Sequence, residues 1–241
     1  MRIEREMAMK NLFKEAFQLK ESQCTIIADK QEAIKTAIES IKHHRKQLEE
    51  YGAAHPKFLY TLEPLPVPQK PLVAKLMAEA AEKANVGPMA AVAGVLADLA
   101  VKDMLHAGCA VAVVENGGEV SAVSNTPIDV ALAAGDAPLS KRFGFRLTDF
   151  PTGVATSSGR FSHALSFGDA EAATVFCRNA GLADAAATAV GNVVKSKDHR
   201  GAIQRGIDKA MSIQDVEGVL IIYGGLVGTA GKIPQIIKVD P

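Results

Sequence analysis

The sequence predicts an α+β fold, mainly antiparallel sheet with helices packed on it. Three observations lead there. Apolar runs that alternate with polar residues come in pairs joined by short turn signals, as at 12–28 and 108–124, which is hairpin grammar. Helical periodicity clusters between these pairs rather than alternating strictly with single strands. No GxGxxG follows a first strand, so a dinucleotide-binding doubly wound domain is not indicated. With 241 residues the chain is read as one α+β domain over 1–241, with two subdomains joined near 63–71 as a variant of that reading.

In order, Leu12–Leu19 and Cys24–Ala28 read as a hairpin that turns at Lys20–Gln23. Asp29 opens a helix with Glu32 as capping-box partner, Ile34, Ala37, Ile38, Ile41 and Leu48 form its apolar stripe, and Gly52 ends it. His43 and His44 read as a solvated pair. Four prolines between Pro64 and Pro71 make 55–70 an irregular connector, and Pro71 starts a helix through Ala80. Gly87-Pro88 breaks the chain before a helix over Met89–Ala107 that is apolar nearly all round and therefore central. Ala90, Ala93, Gly94 and Ala97 give it a small-residue face that another backbone can approach. Its buried charge, Asp98, needs hydrogen-bond partners, and its first-turn amides are able to face an anion. Strands follow at Gly108–Glu115, Glu119–Ser124, Asp129–Ala134, Lys141–Leu147 and Ala172–Cys177, then helices at Leu182–Val193 and Gly201–Ser212. Gly218–Tyr223 is a buried strand, Gly224–Thr229 a glycine loop without a P-loop ending, and Lys232–Val239 an edge strand.

Lys plus Arg and Asp plus Glu both number 27, so the net charge is zero and general basicity for nucleic acid is missing. Aromatic residues are 5% with no Trp, which removes the usual stacking platforms. Cys24, Cys109 and Cys177 are far apart and odd in number, which fits buried free thiols in a reducing cytoplasm. The charged N-terminal stretch is no signal peptide, and no apolar run is long enough to span a membrane.

Chemistry concentrates between Gly153 and Asn192. Thr156, Ser157, Ser158 and Gly159, followed by Arg160 and His163, form a small polar run of the kind that lets amides and a guanidinium meet an anion. Asp184 and Thr188 stand one turn apart on an alanine-rich helix and offer hard oxygens suited to Mg²⁺ or Ca²⁺. Asn116-Gly117-Gly118 is a tight-turn signal that also permits close approach by a ligand.

Three segments in fixed order, GPMAAVAGVLAD, VVENGGEV and ATSSGRFSH…LADAAATAV, resemble the ApbE-like superfamily, whose named members are FAD:protein FMN transferases. SHALSFGDAEAATVF and ADAAATAVGN resemble more narrowly the branch found in archaea and anaerobic bacteria. The resemblance spans roughly residues 85–195. It implies an Mg²⁺ site at Asp184 and Thr188, a proton-handling His163, and a flavin dinucleotide (FAD) held by Thr156, Ser157, Ser158, Gly159 and Arg160 with Asn116, Gly117, Gly118, Glu119 and Asp98. Two departures stand out. Ala93 occupies the family's lysine position, and SFGDA replaces its Asp-Pro-x-Thr-Gly loop. The resemblance also implies, as alternatives, a role in anaerobic sulfide assimilation into homocysteine through a protein partner, or a non-catalytic binding module. A homo-oligomer is compatible with either.

Overall fold

The computed structural model describes residues 12–132, 143–158 and 168–239. Its strands are β1 (Phe13–Leu19), β2 (Ser22–Ala28), β3 (Ala112–Asn116), β4 (Glu119–Val123), β5 (Ile128–Ala131), β6 (Phe143–Leu147), β7 (Thr152–Ser157), β8 (Ala172–Cys177), β9 (Val216–Tyr223), β10 (Leu226–Gly231) and β11 (Gln235–Lys238). The helices are α1 (Gln31–Ala54), α2 (Pro56–Tyr60), α3 (Leu72–Ala84), α4 (Val92–His106), α5 (Ala180–Val193) and α6 (His199–Met211), with a 3-10 turn at Pro88–Ala91 before α4.

Every strand pairing is antiparallel. An eight-stranded sheet runs β1-β2-β3-β4-β7-β8-β9-β10, and a three-stranded sheet runs β11-β6-β5. Alternation along the strands assigns the faces. Ile27, Val113, Val154, Phe176 and Leu220 meet the small sheet through Val130, Phe145 and Leu147. The neighbouring residues Ala155, Val175, Cys177 and Ile221 pack under α3, α5 and α6, while Ile26, Ala28 and Val114 pack under α1 and α4. The large sheet is thus buried on both faces, with helices on one side and the small sheet on the other. This is the predicted α+β class, with one layer more than expected.

Several elements depart from the sequence reading. Asp29 does not cap α1: its carboxylate accepts from the amides of Ala110 (3.1 Å) and Val111 (3.3 Å), and Lys30 holds the N-cap position without a side-chain bond. A tertiary partner wins over the local one. Gly52 does not stop α1. It is buried where an added Cβ would come within 2.7–2.9 Å of Leu59, so its role is close packing against α2, a short helix absent from the sequence reading. His44 is buried and bonded to Gln47 rather than solvated. The helix expected at 89–107 begins as a 3-10 turn. The glycine loop shrinks to a two-residue turn at Gly224-Gly225, both at positive φ, and the rest is strand β10. Among the described residues no single helix is long and apolar enough to cross a membrane. All three cysteines are buried and free.

Candidate functional site

The centre of the helix layer is the crossing of α4 and α5. At Gly94 a Cβ would lie 2.2 Å from the Ala180 carbonyl oxygen and 2.8 Å from the Gly181 nitrogen, and at Gly153 on β7 it would lie 2.1 Å from the Asn179 carbonyl carbon. Only hydrogen in place of a side chain lets the start of α5 fit between α4 and β7. The small-residue face expected on α4 is therefore used as expected.

That proximity allows a reciprocal exchange of carboxylates between the helices. Asp98 of α4 accepts from the Ala180 amide at 2.9 Å and the Gly181 amide at 2.8 Å, two of the orphan donors that open α5, and from the Ser121 hydroxyl at 2.7 Å. Asn179 caps the same turn by accepting from the Leu182 amide at 2.8 Å. In return Asp184 of α5 accepts from the Gly94 amide in the first turn of α4 at 3.0 Å. The anion expected at that helix start is thus supplied by the protein itself. Asn116, buried at the end of β3, donates to the Ala93 carbonyl at 3.1 Å and accepts from the Cys24 thiol at 3.4 Å, fixing the same turn from the sheet side.

Asp184 and Thr188 are half-buried, whereas the other residues from Ala180 to Gly191 are buried. The pair marks the one face of α5, over that span, that is not fully buried. Glu119 joins it from the far side of the turn Gly117-Gly118, whose φ values of 68° and 118° suit glycine. Glu119 keeps some surface as a residue, but its carboxylate is enclosed by protein, and burial pushes its pKa up to about 7. Burial, then the negative charge of Glu119, hold Asp184 well above the usual carboxylate range, against the pull of the Gly94 and Ala93 amides. Burial likewise raises Asp98, partly offset by its three donors.

The remaining predicted residues divide. Thr156 hydrogen-bonds Thr174 at 2.9 Å, and strand alternation puts both on the sheet face away from α5, with Val154 and Phe176. Ser157 is half-buried on the helix side. Ser158 is buried with its hydroxyl unpartnered. Gly159, Arg160 and His163 lie outside the described residues. The sequence reading missed Ser121, Gly181 and Asn179, although Asn179 ahead of an alanine run is itself a cap signal.

A family model described as AbpE bacteria matches residues 6–219. The chain belongs to this family. It is 40% identical over 230 residues to a UPF0280 protein of Methanosarcina acetivorans, covering 94% of this chain and 90% of that one. It is 39% identical over 235 residues to a UPF0280 protein of Methanococcus vannielii, covering 95% and 94%. Among solved structures, the ApbE protein of Thermotoga maritima superposes with a TM-score of 0.62 at 13% identity, covering 95% of this chain and 97% of that one. The flavinyl transferase ApbE of Pseudomonas stutzeri gives 0.58 at 14%, covering 93% and 96%. At such identities the structural likeness speaks for the ApbE fold alone.

Two features qualify the site of this ApbE-like chain. Among the described residues no three His, Cys, Asp or Glu side chains converge on a metal-holding position. A cation at Asp184 and Thr188 therefore needs oxygens from a ligand or water to complete its shell, which is how Mg²⁺ is commonly held. Separately, a cleft of about 680 Å³ opens on the other side of the crossing, lined by Leu76, Val95, Asp98, Lys102 and Ser121 but not by Asp184, Thr188 or Glu119. The candidate site is marked by the carboxylate geometry at Asp184 and Glu119, not by this cleft.

The raised carboxylates carry a pH signature. A Glu119 whose folded pKa is about 7 against an ordinary value of 4.5 keeps its proton in the folded chain after the unfolded chain has lost it. Its contribution is full below the unfolded value, declines as pH rises towards 7, and changes no further above. Glu119→Gln is expected to raise stability at pH 8 by about 1–3 kcal/mol, at roughly 1.4 kcal/mol per pKa unit, and to flatten the decline. Urea midpoints of both proteins between pH 5 and pH 8, about the range of this titration, check it. Parallel curves for the two would refute it.

Proposed function

We propose that this protein binds a flavin dinucleotide, or a similar phosphate ligand, together with Mg²⁺, and that it is a divergent FMN transferase of the cytoplasm. The observation that carries the reading is the half-buried pair Asp184 and Thr188, one turn apart on a helix otherwise buried from Ala180 to Gly191 and set against the first turn of α4. The donor set fits: a carboxylate and a hydroxyl are hard oxygens, and a cation they hold would complete its shell with oxygens of a ligand such as phosphate, or of water. The fold of the solved flavin transferases supports it.

In this reading Asp184 and Thr188 hold the cation, and Glu119 sets the charge opposite them. Bound Mg²⁺ supplies neutralisation of the pyrophosphate. Ser157, Ser158, Gly159 and Arg160 cradle phosphate, and the Gly117-Gly118 turn admits the ligand close to the backbone. Thr156 supports the strand from behind, through Thr174. Asp98 and Asn116 act on the ligand indirectly, by fixing the ends of α5 and α4. In the transfer an acceptor hydroxyl oxygen bonds to the flavin-side phosphorus, the bond between the two phosphates breaks, AMP departs, and His163 takes the acceptor proton. Ala93 in place of the family lysine leaves that step one cation short, so slow transfer with retained binding is expected.

Titration of the protein with FAD, with and without Mg²⁺, tests this. Mg²⁺ is expected to tighten FAD binding at least about tenfold, near 1.4 kcal/mol, and Asp184→Asn to abolish that gain while leaving metal-free binding in place. FAD binding indifferent to Mg²⁺, or a gain that survives Asp184→Asn, would refute the site.

A further inference from the structure

The large sheet ends differently on its two sides. The β1 edge, FKEAFQL, carries Lys14 and Glu15 within the strand. The β10 edge, LVGTAG, carries no charge and no proline, and it pairs with β9 through six regular partners without a bulge. Charge, proline and bulges are the devices by which edge strands resist pairing with other chains. β1 has one of them, and β10 has none.

The flank around β10 is also where apolar surface collects. Among the described residues, eight large apolar side chains are exposed, and three of them lie here: Met211 at the end of α6 (43%), and Leu226 (36%) and Val227 (52%) on β10. α6 lies over this edge, with Ile203 and Ile207 pressed against Gly228. β11 begins only four residues after β10 ends and is itself an edge of the small sheet. The helix layer and the large sheet therefore end together at this flank.

We infer that a second copy of this chain docks on this flank, β10 pairing antiparallel with the partner's β10 to continue the sheet across a two-fold axis. Two observations favour a copy over an unrelated strand. A strand with no charge meets itself without any like-charge opposition. On α6 the exposed row Arg200, Gln204, Asp208 runs from positive through neutral to negative at four-residue spacing. A two-fold axis reverses that row, so Asp208 faces the partner's Arg200. Spacing agrees as well. Strands about 4.8 Å apart bring two helices that overlie β9 and β10 to about 10 Å, the distance at which helices pack.

Sedimentation equilibrium of the full chain tests the inference without any ligand. The expected mass is twice the 25.4 kDa of one chain. Val227→Lys, which puts a charge on the open edge, is expected to give the single-chain mass with an unchanged circular dichroism spectrum. Phe13→Lys on β1 is expected to leave the dimer intact. Arg200→Asp is expected to weaken association at least about tenfold, and adding Asp208→Arg to restore it. A wild-type chain that stays at 25.4 kDa at every concentration overturns the inference. So does a dimer that survives Val227→Lys, or one that is lost on Phe13→Lys.

Discussion

Gly94→Ala is expected to destabilise the protein by about 3 kcal/mol or more, a large loss for one methyl group. The added carbon would fall 2.2 Å from the Ala180 carbonyl oxygen and 2.5 Å from its carbon. Both are backbone atoms in the capped first turn of α5, so no side chain can swing aside. Overpacking a rigid core costs about 1–3 kcal/mol. Here it also draws Asp98 away from the two α5 amides and Asp184 away from the Gly94 amide, bonds each worth about 1 kcal/mol. Urea unfolding followed by circular dichroism measures the loss. A cost below about 1 kcal/mol would mean that the helices separate freely and that the crossing is not the rigid centre described above.

Asp98→Ala is expected to cost about 3–4 kcal/mol, by a different route. It leaves the Ala180 and Gly181 amides and the Ser121 hydroxyl without their acceptor. Loss of a helix cap costs about 1 kcal/mol, and each buried donor left unpaired adds about 1–3 kcal/mol before relaxation. Burial already disfavours the ionised form of Asp98, so Asp98→Asn, which keeps one acceptor oxygen and removes the charge, is expected to cost clearly less than the alanine change. Amide hydrogen exchange separates a local from a global effect. Protection at Ala180 and Gly181 should fall more than protection along β8, and uniform loss would contradict a capping role. The experiment needs no ligand, so it reports on the crossing whatever the site binds.

The architecture was legible where one residue type answers to one cause. The apolar run Ala172–Cys177 was read as a strand with the bounds it has, and the Asn-Gly-Gly signal located the β3–β4 turn, because turn chemistry is local. What escaped the sequence reading depends on distant partners. Asp29 followed by Glu32 satisfies the capping-box pattern, yet the amides of Ala110 and Val111 compete for Asp29, and nothing near residue 29 announces them. The glycines of Leu226–Gly231 looked like loop because their strand conformation comes from pairing with β9 and from the room that Gly228 makes for Ile203. In the site, the spacing of Asp184 and Thr188 put both on one helix face, which their shared partial exposure matches. The small-residue face with Gly94, and the need of Asp98 for hydrogen-bond partners, were visible as well. Their counterpart on α5 was not, because an exchange across two helices about ninety residues apart has no local signature.

The bond from the Gly94 amide to Asp184 has a consequence for what the proposed site would accept. The positive pole of α4 already leans on that carboxylate. A naked divalent ion arriving there would compete with the helix for the same electrons and be repelled by it. An ion that arrives already wearing a polyphosphate brings its own negative counterweight, and the helix pole then attracts the complex. At the proposed site, metal and anion should therefore enter and leave as companions.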